Sequence, residues 1–182
     1  HKVPGSALRI AADPHSQAWV VNDAGAIFRF DGNGLKRMPG AARDIGIGAK
    51  GHVWVIGTNK VPGGYGIYRW TGKTWKNIKG GGVRIAVPPQ GNAWVVNNAN
   101  DIFFHDGKIW HHIAGKAKDV GVGANDTTWI VGEDNSVQKW EGGKWVLYAG
   151  GLTNISVGPK GFPWGINAAS QIFRDKRSAS RK

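Results

Sequence analysis

The 182-residue sequence predicts an all-β fold: a five-bladed β-propeller of four-stranded antiparallel blades, its ring closed by the N-terminal strand pairing into the last blade. Three observations predict it. One phrase returns five times, centred on Trp19, Trp54, Trp94, Trp129 and Trp164, at spacings of 35, 40, 35 and 35 residues. Each copy divides into short alternating apolar runs separated by Gly, Pro, Asn or Asp turns, the pattern of successive antiparallel strands. The N-terminal Lys2-Val3-Pro4-Gly5 reads as the end of a fourth strand whose first three strands lie elsewhere in the chain.

The elements follow in order within each copy. A first strand is read in Ile10-Ala12, Ile45-Ile47, Ile85-Val87, Val120-Val122 and Ile155-Val157. A polar turn such as Gly48-Ala49-Lys50-Gly51 leads to the second strand, which holds the anchor Trp and ends at Asn22, Gly57, Asn97, Gly132 or Asn167. The third strand is Ile27-Phe30, Ile67-Trp70, Ile102-Phe104, Val137-Trp140 or Ile172-Arg174. Turns such as Asp106-Gly107-Lys108 then open a fourth strand bearing Leu35, Trp75, Trp110 or Trp145. The single length change is five extra residues around Lys60-Gly64, between strands two and three of the second copy, where a loop absorbs an insertion that a strand cannot.

Closure rests on the ends. Val3 stands seven residues before Ile10, as Met38 stands seven before Ile45, and the fifth copy has the polar Lys176-Ser180 in place of a fourth strand. Pairing the two would leave no unmatched edge. The tail forming its own strand, or a longer ring of which this is part, are the alternatives. One domain is expected over residues 1–175, with a basic, mobile tail over 176–182.

Composition narrows the function. Ten tryptophans and 29 glycines against one methionine suit strands and tight turns. Without cysteine there is neither a disulfide framework nor a thiolate. No apolar run reaches the length of a membrane-spanning helix. The net charge is +12, of which the segment from Arg174 onward carries +4, five cations against Asp175. The rest is dispersed and draws anionic partners without naming them. Dispersed charge with no groove-reading helix or RNA-binding signature argues against nucleic acid.

No catalytic constellation can be assembled, so the chain reads as a non-enzyme. Most carboxylates fall in turns, while Asp44 and Asp119 alternate with Arg9 and Arg84 just before the first strand, a polar pattern between blades. His111 and His112 are adjacent and point to opposite faces of a strand, a poor chelate, so neither metal nor cofactor is expected. The second-strand tryptophans suit the wedge between blades, where losing one ring costs about 3–5 kcal/mol. Trp110 and Trp145 either pack across blade edges or stack on a sugar face. Of two glycosylation sequons, Asn125-Asp126-Thr127 falls in a turn and Asn154-Ile155-Ser156 enters an inner strand.

The wording Ala42-Arg43-Asp44-Ile45-Gly46-Ile47-Gly48, Gly51-His52-Val53-Trp54-Val55-Ile56-Gly57, Gly66-Ile67-Tyr68-Arg69-Trp70 and Gly91-Asn92-Ala93-Trp94-Val95-Val96-Asn97 resembles tectonin repeats over nearly all of residues 1–175. That family includes fungal, slime-mould, fish-egg and horseshoe-crab lectins. The resemblance implies a multivalent glycan-binding protein acting outside the cell or at its surface; the positive charge adds acidic glycans or lipopolysaccharide as candidate ligands. Some relatives bind proteins or lipids inside cells, which keeps a scaffold on proteins or anionic membranes as the alternative, beside a purely structural ring.

Ligand contacts are sought at the repeated polar positions. Asn22, Asp23, Asn97, Asn98 and Asn167 end second strands and match sugar hydroxyls in two-way hydrogen bonding. Arg29, Arg69 and Lys139 follow or flank the third-strand aromatics and offer charge-assisted bonds. The competing roles are turn closure for the Asn side chains and bridging between blades for the cations.

Overall fold

A computed structural model describes residues 2–13 and 17–175. Within them the chain is all β, eighteen strands in repeated antiparallel sheets around one axis. The first repeat holds β1 (Arg9–Ala12), β2 (Ala18–Val21), β3 (Ala26–Phe30) and β4 (Leu35–Ile47). The second adds β5 (Val53–Val61), β6 (Gly64–Trp70) and β7 (Trp75–Gly82), and the third β8 (Arg84–Ala86), β9 (Trp94–Val96), β10 (Asp101–His105) and β11 (Trp110–Lys116). The fourth comprises β12 (Asp119–Val122), β13 (Thr128–Val131), β14 (Ser136–Glu141) and β15 (Lys144–Gly151), and the fifth β16 (Asn154–Val157), β17 (Pro163–Ile166) and β18 (Ile172–Arg174).

The third and fourth repeats are separate four-stranded sheets, whereas β1 to β7 form one continuous sheet of seven strands. The cause is β4, whose 13 residues serve first as the outer strand of one repeat and then as the inner strand of the next. The five inner strands converge on one channel, since Ala12, Ile47, Val87, Val122 and Val157, one from each repeat, line its lower end. The architecture is propeller-like.

The first three junctions between repeats are built the same way. The second-strand Trp of one repeat meets two aromatic rings of the next: Trp19 with Trp70 and Trp75, Trp54 with His105 and Trp110, Trp94 with Trp140 and Trp145, at centroid distances of 5.5–6.4 Å. These edge-on contacts suit the ring quadrupoles and add to the burial of the rings themselves. The outer Trp then donates its indole N–H backward, Trp75 to Pro39 O, Trp110 to Lys79 O and Trp145 to Ala114 O, at 2.7–2.9 Å. Gly40, Gly80 and Gly115, next in the chain after those carbonyls, take positive φ and lie under the same indoles, where a Cβ would come within 3.0–3.3 Å of the ring. On the inner side, one oxygen of Asp44 accepts the Ile85 N–H and one of Asp119 the Ile155 N–H.

The extra residues of the second repeat lengthen a hairpin instead of forming a loop. They extend β5 to Val61 and begin β6 at Gly64, with the register shift taken up between Ile56 and Lys60.

The expected pairing of the N-terminal segment with the last sheet is not made among the described residues. That sheet has three strands, and residues 2–8 carry none. Gly5 lies against the first repeat, its Cβ direction 2.9 Å from Leu35 Cδ1, just as Gly40 lies against Trp75. The segment therefore takes the place of an outer strand preceding the first repeat, without a sheet behind it. The cost is visible at both edges. Ile10 is 71% exposed although Ile45, Ile85, Val120 and Ile155 at the same repeat position are buried, and Trp164 is 45% exposed although the other four anchors are buried. The basic tail, His1 and His15 lie outside the described residues.

Candidate ligand-binding site

Antiparallel alternation sorts the turns onto two faces. The turns between second and third strands and the links between repeats share the upper face; the remaining turns share the lower. Asn22, Asp23, Asn97, Asn98 and Asn167 accordingly all stand at the upper face, held by the turns they close. Asn97 Oδ1 accepts the N–H groups of Ala99 and Asp101 at 2.8 Å, and its amide donates to Asp101 Oδ2 at 3.1 Å. Asn167 repeats the arrangement with Ala169 and Gln171, and Asn22 Oδ1 accepts from Ala26 at 2.7 Å. Asp23 accepts the Ala24 N–H, while Asn98 is exposed and ties its backbone N–H to Gly63 O of the long hairpin.

The cations stand elsewhere. Arg29, Arg69 and Lys139 are cross-strand partners of Trp19, Trp54 and Trp129. Arg69 sits 6.0 Å from the Trp54 ring centroid and Lys139 5.9 Å from that of Trp129, within cation–π range. Lys139 also pairs with Glu141 at 2.6 Å, and Arg29 keeps a buried Nε with no hydrogen-bond partner among the described residues. The Trp110 and Trp145 indole N–H groups serve the junctions described above.

Two clefts related by the repeat open beside those junctions. Between the second and third repeats, Ile67, Gly80, Gly81, Val95, Asn97, Phe103 and Trp110 enclose about 160 Å³. Between the fourth and fifth, the same repeat positions are Val137, Gly150, Gly151, Gly165 and Phe173, enclosing about 190 Å³. The first and third junctions have Ala41 and Lys116 where these have Gly81 and Gly151. At Gly151 the Cβ direction is open, with nothing within 4 Å, whereas at Gly81 it meets Pro62 O of the long hairpin, which forms part of the cleft wall. Of the residues singled out by sequence, Asn97 and Trp110 thus share one cleft. Phe103 and Phe173 were missed, and the doubled glycine of alternate repeats is the signal that pointed to them.

A third cleft, of about 500 Å³ on the lower rim, gathers His52, Arg69, Trp70, Thr71, Lys76 and His105. Burial, with a contribution from Arg69, lowers the pKa of both imidazoles and keeps them neutral hydrogen-bonding groups. Among the described residues no group of His, Asp and Glu is arranged to hold a metal ion. Asn125 is exposed in its turn, while Asn154 lies in β16.

Comparison with solved structures finds the same fold at low identity. YCF48 bound to D1 peptide matches with a TM-score of 0.62 and 16% identity, over 99% of this chain and 67% of that one. YCF48 from Cyanidioschyzon merolae matches at 0.62 and 15%, over 96% and 74%. XC5397 of Xanthomonas campestris, a gluconolactonase, matches at 0.63 and 14%, over 87% and 68%. These likenesses are of fold alone, and the chain spans about two thirds to three quarters of those proteins. No curated protein matches by sequence. The tectonin domain family does, over residues 6–91 and again over residues 82–182. On that match, which runs along nearly the whole chain, the protein belongs to the tectonin family and is a non-catalytic repeat scaffold.

Proposed function

We propose that the protein is a multivalent glycan-binding module whose sites are the two clefts beside Phe103 and Phe173. The observation that carries this reading is their relation by the repeat. Each combines an aromatic ring with a glycine pair, open to a ligand at Gly151 in the second, and the first adds the amide of Asn97 at its rim. An aromatic or aliphatic wall takes the apolar face of a pyranose, while rim amides and carbonyls take its hydroxyls. Sites this small bind weakly one at a time. Their spacing on a rigid scaffold raises avidity when a surface presents many sugars.

The fold enters the same proposal at finer grain: residues 1–175 act as one five-bladed unit, acting outside the cell or at its surface. Bringing β18 beside residues 2–5 would close the ring and bury Ile10 against Trp164. Glycan-array binding of the purified chain tests the function. Sugar-specific signal is expected, reduced about tenfold or more in Phe103→Ala combined with Phe173→Ala because avidity depends on both sites. No signal above background, or an unchanged signal in the double variant, refutes the assignment.

The net charge of +12 favours a second reading, a scaffold for acidic proteins or anionic membranes. The similarity in fold to a YCF48 bound to a peptide is compatible with it. Binding to anionic liposomes that sugars fail to compete away favours this reading over the first.

A further inference from the structure

The upper mouth of the central channel is a bowl of about 660 Å³, and four cations from four successive repeats line it: Arg9, Arg43, Arg84 and Lys118. Their convergence is encoded in an alternation. In the first and third repeats the cation immediately precedes the inner-strand Ile; in the second and fourth an Asp takes that place and the cation moves one residue earlier. Each repeat from one to four thereby contributes one positive side chain to the bowl. The fifth has Thr153 and Asn154 and contributes none.

The cations are held in place from below. Asp44 Oδ1 lies 3.4 Å from Arg9 Nε while its other oxygen accepts the Ile85 N–H at 3.0 Å. Asp119 repeats this with Arg84 Nε at 3.5 Å and the Ile155 N–H at 2.9 Å. Each buried carboxylate thus spans three repeats and fixes an arginine through its Nε. Arg43 falls in the register shift between Ala42 and Asp44, a bulge of the kind that re-aims a side chain, and its guanidinium stacks on Tyr65 at 4.3 Å. Lys118 contacts the Asn135 side-chain oxygen. The carboxylate in the bowl wall itself is Asp23, at its rim.

We infer that this mouth is a binding site for a compact polyanion, a small molecule carrying two or more phosphate, sulfate or carboxylate groups. Asp44 and Asp119 offset part of the charge of Arg9 and Arg84, while Arg43 and Lys118 form no ion pair among the described residues, and guanidinium groups match oxyanions in geometry as well as charge. The volume lies in the range of small-molecule sites, and recession below the upper turns favours a compact ligand over an extended surface. An uncharged sugar accepts hydrogen bonds from these cations but brings no charge to neutralise them, so the site is distinct from the junction clefts and does not depend on their assignment.

Titration calorimetry tests it with inositol hexakisphosphate, citrate and inorganic phosphate as probes and myo-inositol as the uncharged control. Hexakisphosphate and citrate are expected to bind more tightly than single phosphate, and inositol not at all. Stronger binding of hexakisphosphate marks a phosphate site and stronger binding of citrate a carboxylate site. Arg43→Gln combined with Lys118→Gln is expected to weaken the stronger polyanion by about tenfold or more per cation removed. Lys73→Gln combined with Lys108→Gln removes the same charge from the lower-face turns and is expected to change affinity less than threefold. Absence of polyanion binding, equal binding of inositol, or equal loss in the two double variants overturns the proposal. Thermal unfolding of each variant separates lost binding from lost fold, and Phe103→Ala combined with Phe173→Ala leaves this site intact whatever becomes of the glycan clefts.

Discussion

Trp129 and Trp164 occupy the same position in successive repeats, and truncating each to alanine should have very different costs. Trp129 is buried at 1% exposure, donates its indole N–H to Gly161 O at 3.0 Å and stands edge-on to Tyr148 at 4.7 Å. Truncation of such a ring costs about 3–5 kcal/mol. Loss of the donor leaves a buried carbonyl unpaired, which places the cost at the upper end of that range. Trp164 is 45% exposed and has Arg174 5.7 Å above its ring, with no following sheet to cover it. Retaining about half of the burial scales the cost to about 2 kcal/mol. Urea denaturation reads the difference: with m near 2 kcal/mol/M, Trp129→Ala should unfold about 1 M or more earlier than Trp164→Ala. Trp129→Phe, which keeps a ring but loses the N–H, should fall between them if Trp129→Ala is too unstable to measure. Equal midpoints for the two alanine variants would refute the reasoning, since they would mean that Trp164 is as covered as its equivalents and that the edge between first and last repeats is closed in solution.

Two further outcomes follow from the same contacts. Burial pushes the Asp44 carboxyl up to about 6 from its ordinary 3.8, against the pull of Arg84, the Ile85 N–H and Arg9. Between those values the native carboxyl keeps a proton that the unfolded chain has lost, so its contribution to stability falls as pH rises through that window; Asp44→Asn should flatten this slope in unfolding midpoints measured from pH 4 to 7, and an unchanged slope would assign it to other groups. Gly81 and Gly151 share a repeat position but not an environment: a Cβ at Gly81 would lie 2.3 Å from Pro62 O, while Gly151 has nothing within 4 Å. Gly81→Ala should therefore destabilise by about 1–3 kcal/mol and Gly151→Ala by less than about 0.5 kcal/mol in thermal unfolding, and the reverse order would contradict the packing of the long hairpin on the end of β7.

Much of the fold was legible because the repeat speaks five times. The inner, second and third strands fall where the recurring Ile or Val, Trp and aromatic positions put them, since alternation at period two and turn chemistry are local properties. The alternation of Arg9, Asp44, Arg84 and Asp119 was legible too as a polar pattern between repeats. Its consequence was not, because only the packing of successive repeats brings Arg9, Arg43, Arg84 and Lys118 around one recess. The junction clefts were harder still. They lie beside the glycine pairs Gly80-Gly81 and Gly150-Gly151, and glycine in a turn-rich chain draws no notice until the adjacent repeat is seen beside it.

The sequence by itself determined the unit, its length, its anchors and the family, because repetition and hydrophobic period survive in one dimension. What the tertiary structure decided were relations between units: which indole donates to which carbonyl, how two buried carboxylates steady two arginines, and where the N-terminal segment packs. The N-terminal segment shows the difference. Its kinship with an outer strand was readable from Val3 and Gly5, but its packing against Leu35 instead of beside β18 depends on the angle between successive sheets, and that angle is set by side-chain packing at every junction at once.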